Sequence, residues 1–272
     1  MEKRVVLITG ASSGIGYDTA VLLAKQGHKV YAGARRLQKM EKLKAYGVTT
    51  IELDVTDEAS IEKAVNTVLE KENRIDVLIN NAGYGYYGAI EDVSSDEAKR
   101  QFEVNVFGLT EITKKVLPIM RENRFGRIIN ISSVAGRVVN YLGGWYHASK
   151  YALEALSDAL RMETKEFGID VVLIEPGGIK TEWGIIAADN LKQSAKGGVY
   201  EQTATIVAEN LKKHYSGNIL SDPSVVSRAI SKAVNRKHPK ARYLIGFGAK
   251  SLVFLHTVLP VRLFDKLAKH LN

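Results

Sequence analysis

The sequence predicts an α/β fold: one domain built on a doubly wound parallel sheet with helices on both faces. Three observations predict it. Apolar, β-rich runs alternate with segments of helical period along the chain, as βαβ units require. Runs such as Val5-Val6-Leu7-Ile8 and Val77-Leu78-Ile79 are continuously apolar, the pattern of strands buried on both faces. A glycine-rich turn closes the first of these runs and opens the first helical segment.

Taken in order, residues 4–9 are an apolar run and form the first strand. Helical period follows over 15–26 and is stopped by Gly27. Residues 28–33 read as a second strand, 38–46 as a helix and 49–53 as a third strand. A helix over 58–71 leads into a fourth strand over 76–80. Long helical patterns cover 96–122 and 144–167, with a strand over 127–131 between them and another over 170–174 after them. Residues 183–221 have weak periodicity and contain Gly197-Gly198, whereas 223–235 read as a helix and 242–245 as a short strand. Right-handed crossovers turn this order into a doubly wound, Rossmann-type sheet, in which ligands bind at the carboxyl ends of the strands.

The bulk properties bound the function. With 272 residues, 45% hydrophobic and 25% charged, and no linker, repeat or low-complexity tract, the chain is expected to be one domain over 1–272. It has no cysteine, which excludes disulfides, thiol nucleophiles and thiolate metal sites. The six histidines are dispersed and form no H-x-x-x-H pair, so no catalytic metal is expected. The first ten residues enter a strand at once, unlike a secretory leader, and a cytoplasmic location is expected. The most lipid-like stretch, 251–264, is too short to span a bilayer and is interrupted by His256, Pro260 and Arg262.

The net charge of +8 is unevenly placed. Residues 1–190 carry 24 Lys/Arg and 26 Asp/Glu, residues 191–272 carry 14 and 4. The basic third is either a solvated surface or one drawn to anionic lipid headgroups or an acidic substrate. No nucleic-acid reader motif is present, and nucleic acid is not an expected partner.

The first strand ends in Thr9-Gly10-Ala11-Ser12-Ser13-Gly14-Ile15-Gly16. Gly10 suits a tight turn, Gly14 lets backbone approach a phosphate, and Gly16 permits close packing of helix on strand. The helix N-terminus that follows adds N–H donors and a positive dipole end, which suit a pyrophosphate. No G-K-[ST] follows, so this is not a P-loop.

Read with four further motifs, this turn resembles the coenzyme loop of the short-chain dehydrogenases/reductases. The motifs are Asn80-Asn81-Ala82-Gly83 after the fourth strand, Asn105 in Val104-Asn105-Val106, Ser132-Ser133 after the fifth strand, and Tyr146-His147-Ala148-Ser149-Lys150. Pro176-Gly177 after the sixth strand completes the order, and the resemblance covers about residues 4–181. The chain looks most like the branch holding hydroxysteroid and retinol dehydrogenases and acyl-dihydroxyacetone-phosphate reductases. The resemblance implies a coenzyme-binding part over about 1–181, a substrate loop over about 183–221 and a C-terminal extension over about 222–272. It implies hydride transfer to or from a carbonyl or alcohol carbon, and a homodimer or homotetramer is expected.

Tyr146 and Lys150 are one helical turn apart and share a face. A free phenol, with a pKa near ~10, is a poor acid/base at neutral pH, and a nearby ammonium favours the phenolate. General acid–base catalysis is most effective when the pKa lies near the working pH, so Lys150 is expected to make Tyr146 competent. By resemblance, Ser133 hydrogen-bonds the substrate oxygen, with Ser132 as the other candidate, and Asn105 holds a water linking Lys150 to solvent. The alternative for Asn105 is a structural residue that kinks its helix. His147 is expected to point away from the chemistry.

The coenzyme is read from the end of the second strand. NAD enzymes usually place an acid there, whereas this chain has Arg35 and Arg36. Guanidinium groups suit a 2′-phosphate, so NADP(H) is expected and NAD is the alternative. Two features favour the alternative: Ser13 stands where many NADP-dependent relatives have a basic residue, and Arg36 can equally begin a solvated helix. By resemblance, Asp54 and Val55 contact the adenine, and Asn81, Ala82 and Gly83 line the adenosine side. Lys150 holds the nicotinamide ribose, and the segment from Pro176 and Gly177 to Thr181 grips the carboxamide.

Tyr84-Gly85-Tyr86-Tyr87, Val138-Val139-Asn140-Tyr141-Leu142 and Trp183-Gly184-Ile185-Ile186 are expected to wall the substrate pocket. Such bulky apolar walls suit a lipophilic carbonyl or alcohol. Arg137 would either neutralise an acidic substrate group or lie on the surface. Two other classes stay open: a non-catalytic coenzyme sensor, which would have lost Tyr146 or Lys150, and a protein acting at the membrane surface through the basic third and residues 252–264.

Overall fold

The structure, a computed structural model, describes residues 2–270. Seven parallel strands form one sheet: β1 (Val5–Thr9), β2 (Lys29–Ala34), β3 (Thr49–Glu52), β4 (Val77–Asn80), β5 (Gly126–Ile131), β6 (Ile169–Pro176) and β7 (Arg242–Ile245). Their spatial order is β3-β2-β1-β4-β5-β6-β7. The order reverses between β1 and β4, and a crevice opens beyond the carboxyl ends of the strands at such a point.

Successive side chains of a strand face opposite sides of the sheet, and both sides are covered. Val6 and Ile8 of β1 pack in the layer with helices α1 (Gly14–Lys25) and α8 (Pro223–Asn235). Val5 and Leu7 pack in the layer with α2 (Glu58–Glu72) and α4 (Leu109–Glu122). Each such fully buried aliphatic chain contributes about 1.5–3 kcal/mol relative to exposure. Arg127 on β5 is buried and ties the layers together. Its guanidinium donates to the carbonyls of Ala233, Val234 and Arg236 at 2.6–2.8 Å and to Asp170 at 2.7 Å. A cation thus caps the carboxyl end of α8.

The remaining helices are α3 (Ser95–Phe102), α5 (Gly144–Thr164), α6 (Trp183–Ser194), α7 (Glu201–Ser216), α9 (Ala249–Val258) and α10 (Val261–His270). Three details differ from the sequence expectations. The expected helix over 38–46 is a run of 3₁₀ turns, Leu37–Tyr46. The pattern over 96–122 is interrupted by a π-helical segment, Glu103–Gly108, which holds Asn105. The weakly periodic stretch 183–221 contains two well-formed helices, α6 and α7. As expected, the lipid-like stretch 251–264 is interrupted at Pro260, between α9 and α10, because proline cannot continue the ladder of the preceding turn.

Candidate active site

The crevice is a cleft of about 1370 Å³ running across the carboxyl ends of the strands. Its first end is built from backbone. Gly10 has φ 67°, and a β-carbon there would lie 2.7 Å from Ala82 Cα and 2.8 Å from Ala82 N. The loop after β1 therefore lies directly on the Asn81-Ala82-Gly83 turn after β4. Thr9 Oγ1 accepts from the Asn81 and Ala82 amides at 3.0 Å, and Asn81 Nδ2 donates to the Thr9 and Gly10 carbonyls. Ser13 caps α1 through extended backbone, with no side-chain bond, and the first turn holds no acid. The N–H groups and positive dipole end of α1 are thus available to an anion. Gly14 is 3.6 Å from Thr181 when given a β-carbon, which brings the two sides of the cleft together.

Ser12, Ser13, Ile15, Asp54, Val55, Gly83, Pro176 and Gly177 line this end as well. Arg35 and Arg36 are exposed at its rim, Arg35 Nη1 lying 4.0 Å from Asp54 Oδ2. Asp54 is itself fixed by the Thr56 amide and hydroxyl at 3.0 and 2.8 Å. Gly16 lies beneath the loop, where a β-carbon would meet the Gly10 carbonyl oxygen at 2.7 Å.

The middle of the cleft is formed by the first turns of α5 and by the loop after β5. Tyr146, Lys150 and Ser133 all line it. Burial raises the Tyr146 phenol well above its ordinary value, and the neighbouring Ser133 hydroxyl opposes the shift. Lys150 Nζ donates to the Ile131 carbonyl at 2.9 Å and lies 6.0 Å from the Tyr146 ring centroid. Burial pulls its ammonium down to about 8, against the charge of Glu154. The sequence led us to expect that Lys150 lowers the phenol. In this fold burial is the main influence on the phenol, and the Lys150 ammonium, itself desolvated, is directed at the Ile131 carbonyl.

The two serines part company. Ser133 Oγ accepts from the Ala135 amide at 3.1 Å and lies on the Tyr146 side. Ser132 is buried toward Gly136 and Glu154. Asn105 lies behind the cleft lining, its side chain bridging Tyr84 N (3.1 Å), Tyr84 O (2.9 Å) and Ser149 Oγ (3.0 Å). It sits on the π segment, a feature common at functional sites. His147 borders the cleft, its ring 5.9 Å from that of Tyr146, and both its nitrogens are engaged in a structural task. Its Nε2 accepts from the Asn140 amide and its Nδ1 lies 3.0 Å from the Ala135 carbonyl, fixing the loop between them.

The far end is apolar and aromatic. Trp183, the first residue of α6, lies 5.0 Å from the Tyr146 ring centroid and 5.8 Å from that of Tyr87. Tyr215 of α7 and Leu252 and Leu255 of α9 continue the wall, and none of these three was legible as a wall residue in the sequence. Tyr84 to Tyr87, Val138, Asn140 and Ile186 line the cleft as expected, but Val139 and Ile185 face outward and Tyr141, Leu142 and Gly184 do not line it. Arg137 does not reach the cleft. It pairs with Glu175 at 3.2 Å, within a group in which half-buried Arg242 also binds the buried Glu175 and Glu154 and the half-buried Asp158. Burial, with Glu175 alongside, raises the Glu154 carboxyl. Sequence reasoning missed this group; the one signal was Glu154 a single turn beyond Lys150.

Residues 4–190 match the family model described as short chain dehydrogenase. The chain is 39% identical to the probable short-chain type dehydrogenase/reductase VdlC of Helicobacter pylori, over 97% of its own length and 96% of that protein. It is 43% identical to a 3-ketodihydrosphingosine reductase of Bacteroides thetaiotaomicron, over 66% of each. Among solved structures, a short-chain dehydrogenase from Streptomyces avermitilis superposes with a TM-score of 0.81 at 33% identity, over 94% of this chain and 93% of that one. A serine dehydrogenase complexed with NADP+ superposes at 0.77 with 28% identity, over 89% and 94%. An NAD+-bound xylitol dehydrogenase superposes at 0.73 with 27% identity, over 86% and 92%. The chain therefore belongs to the short-chain dehydrogenase/reductase family of oxidoreductases.

Proposed function

We propose that the protein interconverts a lipophilic carbonyl compound and its alcohol with NADP(H), using Tyr146 as general acid/base. One observation carries this reading: Tyr146, Lys150 and Ser133 meet in a single cleft whose opposite rim carries Arg35 and Arg36. The cradle fits a dinucleotide. Gly10 to Gly16 and the start of α1, whose N–H groups no side chain occupies, hold the pyrophosphate, Asp54 and Val55 the adenine, and Arg35 and Arg36 a 2′-phosphate. Asn81, Ala82 and Gly83 line the adenosine side, Lys150 holds the nicotinamide ribose, and Pro176, Gly177 and Thr181 hold the carboxamide. The coenzyme supplies the hydride, or takes it up in the reverse direction.

The chain's residues supply the rest. In reduction, Tyr146 gives its proton to the carbonyl oxygen as the alcohol forms, and the Ser133 hydroxyl donates a hydrogen bond to the same oxygen. Burial keeps the phenol protonated and ready to donate. Lys150 stabilises the phenolate left behind, and Asn105 lies on the route by which its proton is restored. The apolar far end, with Trp183, Tyr215 and Leu255, supports a lipophilic substrate, as does the name of the sphingoid ketone reductase relative. On this reading residues 1–181 are the coenzyme part, 183–221 the substrate wall and 222–272 the extension. The assembly is a homodimer or homotetramer, since Tyr151 and Met162 lie exposed on one face of α5.

The test is oxidation of NADPH against a panel of lipophilic aldehydes, ketones and steroids, with NADH in parallel. We expect turnover with NADPH and an NADPH-over-NADH preference that falls by about 10–100-fold when Arg35 and Arg36 are both replaced by Ala, the loss of two charge-assisted contacts. Equal use of both coenzymes by the parent protein would favour the NAD-dependent alternative, to which Ser13 and the Arg35–Asp54 pair point.

A further inference from the structure

Helix α9 is unusual among the elements of this fold. Its sequence, AKSLVFLHTV, is mostly apolar, yet among its described residues only Ala249 is fully buried. A helix that is apolar on most sides is ordinarily enclosed by protein or lipid. One side of α9 is accounted for: Ser251, Leu252 and Leu255, with Phe247 before them, line the substrate end of the cleft. The adjoining face presents Phe254 and Val258, 64% and 54% exposed.

Helix α10 continues this surface. Phe264 and Ala268 pack on Val138, behind the cleft wall, while Val261 and Leu263 stand exposed. The exposed charged side chains of the two helices are mostly basic: Lys250, Arg262, Lys266 and Lys269, against Asp265 alone of the acids over 247–269. Lys269 lies 5.7 Å from the Tyr141 ring centroid. Among the described residues no helix is long and apolar enough to cross a membrane. The combination is that of an interfacial helix pair, apolar enough to enter a headgroup layer and basic enough to be drawn to it.

We propose that α9 and α10 form a docking lip that seats the substrate end of the cleft on an anionic lipid surface. The charge selects the occupant. A second copy of this chain would bring its own net-basic face against this one, and like charges oppose that pairing. An anionic bilayer complements both the lysines and the exposed Phe254 and Val261. Because α9 is at once cleft wall and lip, a docked molecule opens its apolar end close to the layer in which a lipophilic substrate is dissolved. That consequence rests on the substrate reading above, whereas docking does not.

The test is co-sedimentation of the full chain, without coenzyme or substrate, with phosphatidylcholine vesicles and with phosphatidylcholine–phosphatidylglycerol vesicles. Partition onto the anionic vesicles is expected to exceed that onto neutral ones by about tenfold or more at low salt. It should collapse near 1 M salt, where exposed charges are screened beyond ~3 Å. The Lys250→Glu/Arg262→Glu variant should lose about tenfold, and Phe254→Ser/Val258→Ser several-fold, with unchanged melting and circular dichroism. Equal partition onto both vesicle types, or none, overturns the proposal. So does a Phe254→Ser/Val258→Ser variant that falls apart into smaller species in sedimentation velocity, which would assign the face to a second copy. Failure of vesicle binding with carbonyl reduction intact would remove the lip and leave the catalytic reading standing.

Discussion

Gly10 and Gly197 both have positive φ, 67° and 77°, but a β-carbon at Gly10 would lie 2.7 Å from Ala82 whereas one at Gly197 would meet nothing within 4 Å. The two glycines stand for the two ends of the cleft. Around Gly10 the site is made of backbone held by backbone: strand ends, an open helix N-terminus and the Thr9–Asn81 hydrogen bonds. Around Gly197 it is made of side chains on α6 and α7, joined by a turn in open space. Backbone fixed in this way can serve one ligand shape. Helices hung on an exposed turn can be refitted to new substrates while the first end stays as it is. One family can thus keep its coenzyme cradle while its substrates diversify.

Replacing Tyr146 by Phe tests whether the two ends work independently, and it should have the largest effect. The ring still packs between Tyr87 and Trp183, so the aromatic cluster is kept and only the proton donor is lost. Turnover should fall by about 10³-fold, within the range for a general acid, while NADPH affinity measured by fluorescence titration changes by no more than about twofold. Retained turnover would remove Tyr146 from the chemistry. A large loss of coenzyme affinity would show that the two ends are coupled.

A second pair of variants compares the glycines directly. Gly10→Ala carries both the positive-φ cost and a collision with backbone that cannot yield. It should cost about 3 kcal/mol in urea unfolding and abolish coenzyme binding. Gly197→Ala carries the φ cost alone, about 1 kcal/mol, and should leave binding unchanged. Similar costs at the two positions would show that packing against Ala82 contributes little.

The same contrast explains what could be read before folding. The strands, the glycine turn and the Tyr146/Lys150 spacing were legible because each is a local pattern, set by burial on two faces, by one turn, or by one helical period. Arg35 and Arg36 were legible as a pair at the end of β2, and the structure places them at the cleft rim. The π segment at Asn105 was not, because one extra residue per turn barely disturbs the apolar period over 96–122. The helices of 183–221 were hidden for a different reason. Ala187, Ala188, Leu191, Ala204, Val207 and Ala208 are buried against each other and the Tyr87–Tyr146 cluster, and small residues give a weak periodic signal. Trp183 over Tyr146, and Arg242 joining Glu154 to Glu175, depend on contacts between segments far apart in sequence, which no local pattern encodes.

Lys150 stands where the two ends meet, and its burial can be tested without coenzyme or substrate. Its folded-state pKa is about 8, below the ordinary lysine value of 10.5. Between these values the unfolded chain keeps a proton that the folded protein has released, so stability must rise with pH across that window. Below about pH 8 both states are protonated and the cost of the buried ammonium is present in full. Lys150→Met keeps an unbranched chain of similar length and removes the titration. It also leaves the Ile131 carbonyl without its 2.9 Å donor, but that loss does not depend on pH and drops out when two pH values are compared. The parent protein should therefore gain on the order of 2 kcal/mol relative to Lys150→Met between pH 7 and pH 10, read from urea unfolding of both proteins. A difference that stays flat across this range would mean that Lys150 is solvated in the free protein. Its proposed hold on the ribose would then require a rearrangement at the very point where the rigid end of the cleft joins the adaptable one.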